Sequence, residues 1–134
     1  MLTDILRAAA GAVGFMVLDG VWLGLVMSGY YRSQLAAIAR LTPDGGGFAP
    51  NWAAALMVYV CLGAGIAMFA VPRATDWVGA ATYGAALGFV VYGVYDFTNY
   101  STLKDYPLGL TFVDMAWGTF ATALCSVFVW SAIR

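Results

Sequence analysis

Histidine and glutamate are both missing from this 134-residue sequence, and only 10% of its residues are charged. Without an imidazole, the iron sites of membrane desaturases and hydroxylases, the usual zinc sites, ordinary b-type haem ligation and Ser-His-Asp catalysis are all excluded. No cofactor is assigned, and no haem, zinc or iron ligand set is expected. The six basic residues are scattered among seven acidic ones, so no basic patch forms and nucleic acid is excluded as a partner. Cys61 and Cys125 stand singly in apolar stretches and read as small buried hydrophobes, not as a redox pair.

What the chain has in excess is apolar surface. At 63% hydrophobic, its main solvent is lipid. Apolar stretches run from about Ile5 to Met27, Trp52 to Val71, Trp77 to Tyr95 and Leu108 to Ile133, each close to the ~20 residues a helix needs to cross ~30 Å of hydrocarbon. The first passes unbroken through Asp19 with no small-residue cleavage pattern at its end, so it reads as a span and not as a signal peptide. Tyr30, Tyr31, Trp52, Trp77, Tyr100, Tyr106 and Trp130 mark span ends, where amphipathic rings settle among headgroups. Strands would alternate with period two, and open backbone in lipid would leave polar groups unpaired. The expected fold is all-α, an integral membrane four-helix antiparallel bundle forming a single domain over residues 1–134.

With four spans both ends of the chain lie on one face, here called the terminal side; the opposite face is the loop side. Arg7, Arg73 and Arg134 on the first oppose Arg32, Arg40 and Lys104 on the second, three against three, so basic residues set no orientation. In the first connection Tyr31, Leu35, Ile38 and Leu41 fall near one helical face, which predicts an interfacial helix over Arg32 to Leu41. Pro72 to Asp76 forms a tight hairpin turn, and Asp96 to Pro107 a polar connection. Gly20 and Gly24, and Gly84 and Gly88, have the spacing that lets helix backbones approach closely, and all four are expected at helix contacts.

Asp4, Asp44, Asp76 and Asp105 fall in loops or near span ends. Asp19, Asp96 and Asp114 do not. An acid at the centre of a membrane helix costs ~2.5–3.5 kcal/mol on insertion scales and therefore faces an interior or a cavity. All three belong to the loop-side half, with Asp96 at or just inside the end of its span. Trp22 follows Asp19 by three residues and Trp117 follows Asp114 by three, while Tyr92, Tyr95, Asp96 and Asn99 make a stripe on the third span. The pattern describes a pocket with aromatic walls and an acidic interior, opening toward the loop side. Its candidate ligand-binding or proton-carrying residues are Asp19, Trp22, Tyr92, Tyr95, Asp96, Asn99, Asp114 and Trp117. Acids buried near one another cannot all ionise cheaply, so one is expected to hold or pass a proton. The competing use of the same residues is structural, with each carboxylate accepting from Trp, Tyr or Asn between helices.

Asp19-Gly20-Val21-Trp22-Leu23-Gly24, Tyr95-Asp96-Phe97-Thr98-Asn99 and Asp114-Met115-Ala116-Trp117-Gly118 resemble three signature segments of the domain of unknown function 2177 family. Met57-Val58-Tyr59 and Tyr106-Pro107 also sit where that family tends to carry similar residues. The resemblance implies a multi-pass protein of the bacterial inner (cytoplasmic) membrane with no assigned activity.

Three functions fit the sequence. The first is binding or transport of a small amphipathic, lipid-like or cationic ligand, with a carboxylate exchanging ligand for proton. The outline is similar to the small multidrug-resistance transporters, which carry a membrane glutamate where this chain has aspartates. The second is a lipid-modification enzyme component, ranked lower because no motif supplies a nucleophile or cofactor. The third is an accessory subunit with a membrane-protein partner, and a homodimer is a further expected possibility beside the lipid bilayer itself.

Overall fold

The computed structural model describes residues 1–133. Four helices in it are long and apolar enough to cross a membrane, Leu2–Val26, Trp52–Arg73, Trp77–Thr102 and Leu108–Ala132. The first consists of α1 (Leu2–Val21) and a π-type turn at Trp22–Val26, whose i→i+5 bond runs from Met27 N–H to Trp22 O at 2.7 Å. A short α2 (Ser28–Leu35) follows on the loop side. The second span is α3 (Trp52–Gly65), continued by a second π-type turn (Ile66–Ala70) and a 3-10 turn (Val71–Arg73). The third and fourth spans are α4 (Trp77–Thr102) and α5 (Leu108–Ala132). Arg134, counted above among the terminal-side basic residues, lies outside the described residues.

Side-chain caps set the helix starts. Asn51 Oδ1 accepts from Ala54 N–H at 3.2 Å and Asp76 Oδ1 from Gly79 N–H at 2.7 Å, so each satisfies a backbone donor that the first helical turn leaves open. Pro107 N-caps α5, and Pro72, which cannot donate to the preceding turn, ends the second span.

Two expected helix boundaries need correction. The helix expected over Arg32 to Leu41 starts earlier and stops at Leu35; Leu41 instead pairs with Phe48 in an antiparallel bridge. Thr42 precedes a proline and so disfavours helical backbone, and Gly45, at φ +67°, supplies the left-handed residue that closes the turn. The third span does not end at Tyr95. Helix α4 continues to Thr102, so Asp96 and Asn99 are helical and the connection shrinks to residues 103–107.

Helix α4 lies along α5 and α1 along α3, and α1 meets α5 to join the two pairs. The second span touches α4 chiefly through its terminal-side turns, Ile66–Arg73. Its loop-side half is largely exposed: from Trp52 to Cys61 only Ala55 and Tyr59 are partly covered.

Glycines permit the close crossings, though not all those expected. A Cβ on Gly84 would stand 2.5 Å from Ser126 Oγ, and one on Gly88 would collide with Gly118 O, so α4 and α5 meet backbone to backbone. Gly20 and Gly24, in contrast, are exposed with nothing within 4 Å of a built Cβ, and they face lipid. On the first span the close approach is made by Gly11, against Gly63 of α3, where a Cβ on Gly63 would run into Ala8 O.

Apolar packing forms two clusters. Phe15, Leu62, Ile66, Val71, Ala121, Cys125 and Val129 fill the bundle from its middle toward the terminal side. Tyr31, Tyr106 and Leu110, with Trp22, Leu23 and Phe48 against them, close the loop side. The membrane acids lie between these clusters.

Candidate functional site

The three acids come from three helices, Asp19 from α1, Asp96 from α4 and Asp114 from α5. None faces lipid: Asp96 is 0% exposed, Asp19 is 7% exposed and Asp114 is partly buried. Asp96 stands six residues before Thr102 and Asp114 six after Leu108, each roughly 9 Å from its helix end at 1.5 Å per residue. Asp19, seven before Val26, lies at a similar depth.

Each acid receives an aromatic donor from another element. Trp117 Nε1 donates to Asp19 Oδ1 at 2.8 Å, Tyr31 Oη to Asp114 Oδ1 at 2.6 Å, and Tyr106 Oη to Asp96 Oδ1 at 2.6 Å. Trp22 Nε1 in turn donates to Tyr31 Oη at 3.3 Å, so Tyr31 both gives and accepts. The Tyr59 side chain of α3 lies near Asp19. Tyr31 and Tyr106 lie outside the spans; burial, and for Tyr31 the Asp114 charge, for Tyr106 the bond to Asp96, push both phenols above their ordinary pKa and keep them as donors.

Asp96 Oδ2 is buried with no hydrogen-bond partner, and the Asp114 carboxyl is near enough to act on Asp96 electrostatically. Two neighbouring buried carboxyls do not both ionise cheaply. Thr111 Oγ1, three residues before Asp114 on α5, is also buried without a partner. No salt bridge reaches the site among the described residues: the ion pairs involve Asp4. On the loop side, Arg32 donates to the Gly46 carbonyl and Lys104 is exposed.

The aromatic walls are tightly filled. Trp22 and Trp117 stack with centroids 4.3 Å apart and planes 2° apart. Tyr92 lies against Gly118, at a spot where any Cβ would overlap its ring, and stacks with Phe15 at 6.5 Å. Tyr92 is near enough to both Asp19 and Asp114 to feel their charge. Tyr95 is 59% exposed, so its ring leaves the interior, and with the partly buried Asn99 it stands at the rim of the site.

Of the residues singled out from the sequence, Asp19, Trp22, Asp114 and Trp117 are joined through Tyr31 and the indole stack, Tyr92 lies near them, and Asp96 is held separately by Tyr106. The donors Tyr31 and Tyr106, and Tyr59 beside Asp19, are not assigned to the site by the sequence. Tyr31 and Tyr106 sit where any span-end tyrosine reads as a headgroup anchor. Tyr59 lies seven residues into α3, roughly 10 Å deep and level with Asp19, a depth at which a tyrosine hydroxyl in lipid calls for a partner. Among the described residues no three metal-ligating side chains converge. Cavities of about 820 Å³ and 490 Å³ are present, and none of the three acids lines either of them.

No curated protein and no solved structure matches the chain. The signature segments run through the site, and the family described as "Predicted membrane protein (DUF2177)" matches residues 5–131. The chain belongs to that family of membrane proteins.

Proposed function

We propose that this protein of the bacterial cytoplasmic membrane binds or transports a small cationic, lipid-like amphiphile in exchange for a proton held at the Asp96–Asp114 pair. The observation that carries the reading is a set of three buried or half-buried acids with aromatic donors and no basic partner, one of whose oxygens, Asp96 Oδ2, has no donor at all. If the acids were only structural acceptors, Asp96 Oδ2 would not be left buried without a donor, and two neighbouring buried carboxylates would repel unless one of them carried a proton.

A cation entering the site replaces that proton, so the charge inside the bundle is unchanged by the exchange. The stacked indoles of Trp22 and Trp117 offer two ring faces, which attract a desolvated organic cation once they part. The exposed loop-side half of α3 gives an amphiphile a lateral approach from lipid, past Tyr59 to Asp19.

Equilibrium binding of tetraphenylphosphonium to the protein in nanodiscs tests the reading. Asp19→Asn and Asp114→Asn keep side-chain shape and still accept a bond from Trp or Tyr. Loss of binding with an unchanged melting profile supports the proposal. Unchanged binding with lowered stability assigns the acids to helix packing instead.

A further inference from the structure

At the opposite end of the bundle, a cavity of about 490 Å³ is lined by Arg7, Val71, Pro72, Ala74 and Trp130. Arg7 belongs to the second turn of α1, five residues after Leu2, so its backbone lies roughly 7.5 Å inside the helix end. Its side chain is only 20% exposed. The guanidinium is held from one edge, where Nε donates to Ile133 O at 3.1 Å. Its Nη1 stands 3.8 Å from Asp4 Oδ1, beyond hydrogen-bonding distance. Asp4 itself is 57% exposed and pairs with the Met1 amino group at 3.0 Å. Among the described residues, the terminal nitrogens of this mostly buried cation thus have no hydrogen-bond acceptor, and they stand beside an open volume.

The walls describe what would fill it. Trp130 Nε1 donates to Ala74 O at 3.3 Å, which fixes the indole as one side of the cavity, and Val71, Pro72 and Ala74 provide an apolar shoulder. A planar guanidinium with donors in a fork matches the oxygens of a phosphate. An indole at a span end marks the level of headgroups. A fully hydrated inorganic ion would gain nothing from the apolar shoulder, whereas the glycerol end of a lipid would cover it.

We infer that Arg7, Trp130 and the Val71–Ala74 turn form a binding site for the phosphate of an anionic phospholipid in the terminal-side leaflet. The site is remote from the acids and does not depend on what they bind. Its occupant ties the start of α1 to the turn between the second and third spans and to the end of α5.

The test compares melting in nanodiscs of phosphatidylglycerol and of phosphatidylcholine, together with phospholipid retained in native mass spectrometry. Phosphatidylglycerol is expected to raise the Tm above that in phosphatidylcholine and to remain bound. Arg7→Gln should remove the difference and weaken retention by at least about tenfold, the effect of losing a charge-assisted hydrogen bond. Arg7→Lys should restore part of it. Ala74→Leu, which fills the cavity and leaves the cation in place, should also abolish retention. Equal melting in the two lipids, or full retention by Arg7→Gln, overturns the site. Stabilisation by inorganic phosphate equal to that by phosphatidylglycerol would keep the phosphate chemistry and overturn the lipid as its source.

Discussion

Trp117 donates its indole N–H to Asp19 at 2.8 Å across 98 positions of sequence, and the same ring lies face to face with Trp22, three residues beyond Asp19. One contact therefore joins the first and last spans by a hydrogen bond and a stack together. Trp117→Phe keeps most of the ring and removes the donor. Stability in detergent should fall by about 1–2 kcal/mol, near the upper end for interhelical bonds in membranes. Chemical denaturation against wild type measures it; a loss below about 0.3 kcal/mol would mean the bond contributes nothing beyond packing.

Tyr106→Phe leaves Asp96 with neither of its oxygens accepting from a phenol or indole, since Oδ2 has no donor already. Expected destabilisation is about 1–3 kcal/mol. Tyr95→Phe, which alters a hydroxyl on the exposed rim, should cost less than Tyr106→Phe in the same melt. The reverse order would contradict the placement of Tyr106 as the donor to Asp96.

Gly88→Leu places a side chain against the Gly118 carbonyl and Thr122, where no flexible neighbour can yield. A loss of about 2–3 kcal/mol or a failure to fold is expected. Gly20→Leu, which meets open space, should stay within about 0.5 kcal/mol of wild type. Equal effects from the two would refute the assignment of Gly20 to lipid.

The number of spans and the inward direction of the acids were legible because both follow from the solvent alone. Long apolar runs must be helical in lipid, and Asp19, Asp96 and Asp114 pay the same penalty whichever neighbours surround them. Partners are harder to read. Tyr31 and Tyr106 have the composition and position of ordinary interfacial tyrosines, and only folding reveals that their hydroxyls reach inward to Asp114 and Asp96. The extension of α4 past Tyr95 is obscured by the polar run Asp96 to Thr102, which reads as a loop unless Asp96 is known to turn into the bundle toward Tyr106. Small-residue spacing likewise says that a helix can approach and not that one does: Gly84 and Gly88 are covered by α5, whereas Gly20 and Gly24 are bare.

Proton exchange is the central claim, and counting protons released when tetraphenylphosphonium binds in weakly buffered nanodiscs tests it most directly. Wild-type protein should release about one proton per bound cation, because the charge of a buried site is conserved when one cation replaces another. Asp96→Asn and Asp114→Asn should release none. Binding by wild type without proton release, or the same release from both variants, would contradict the account.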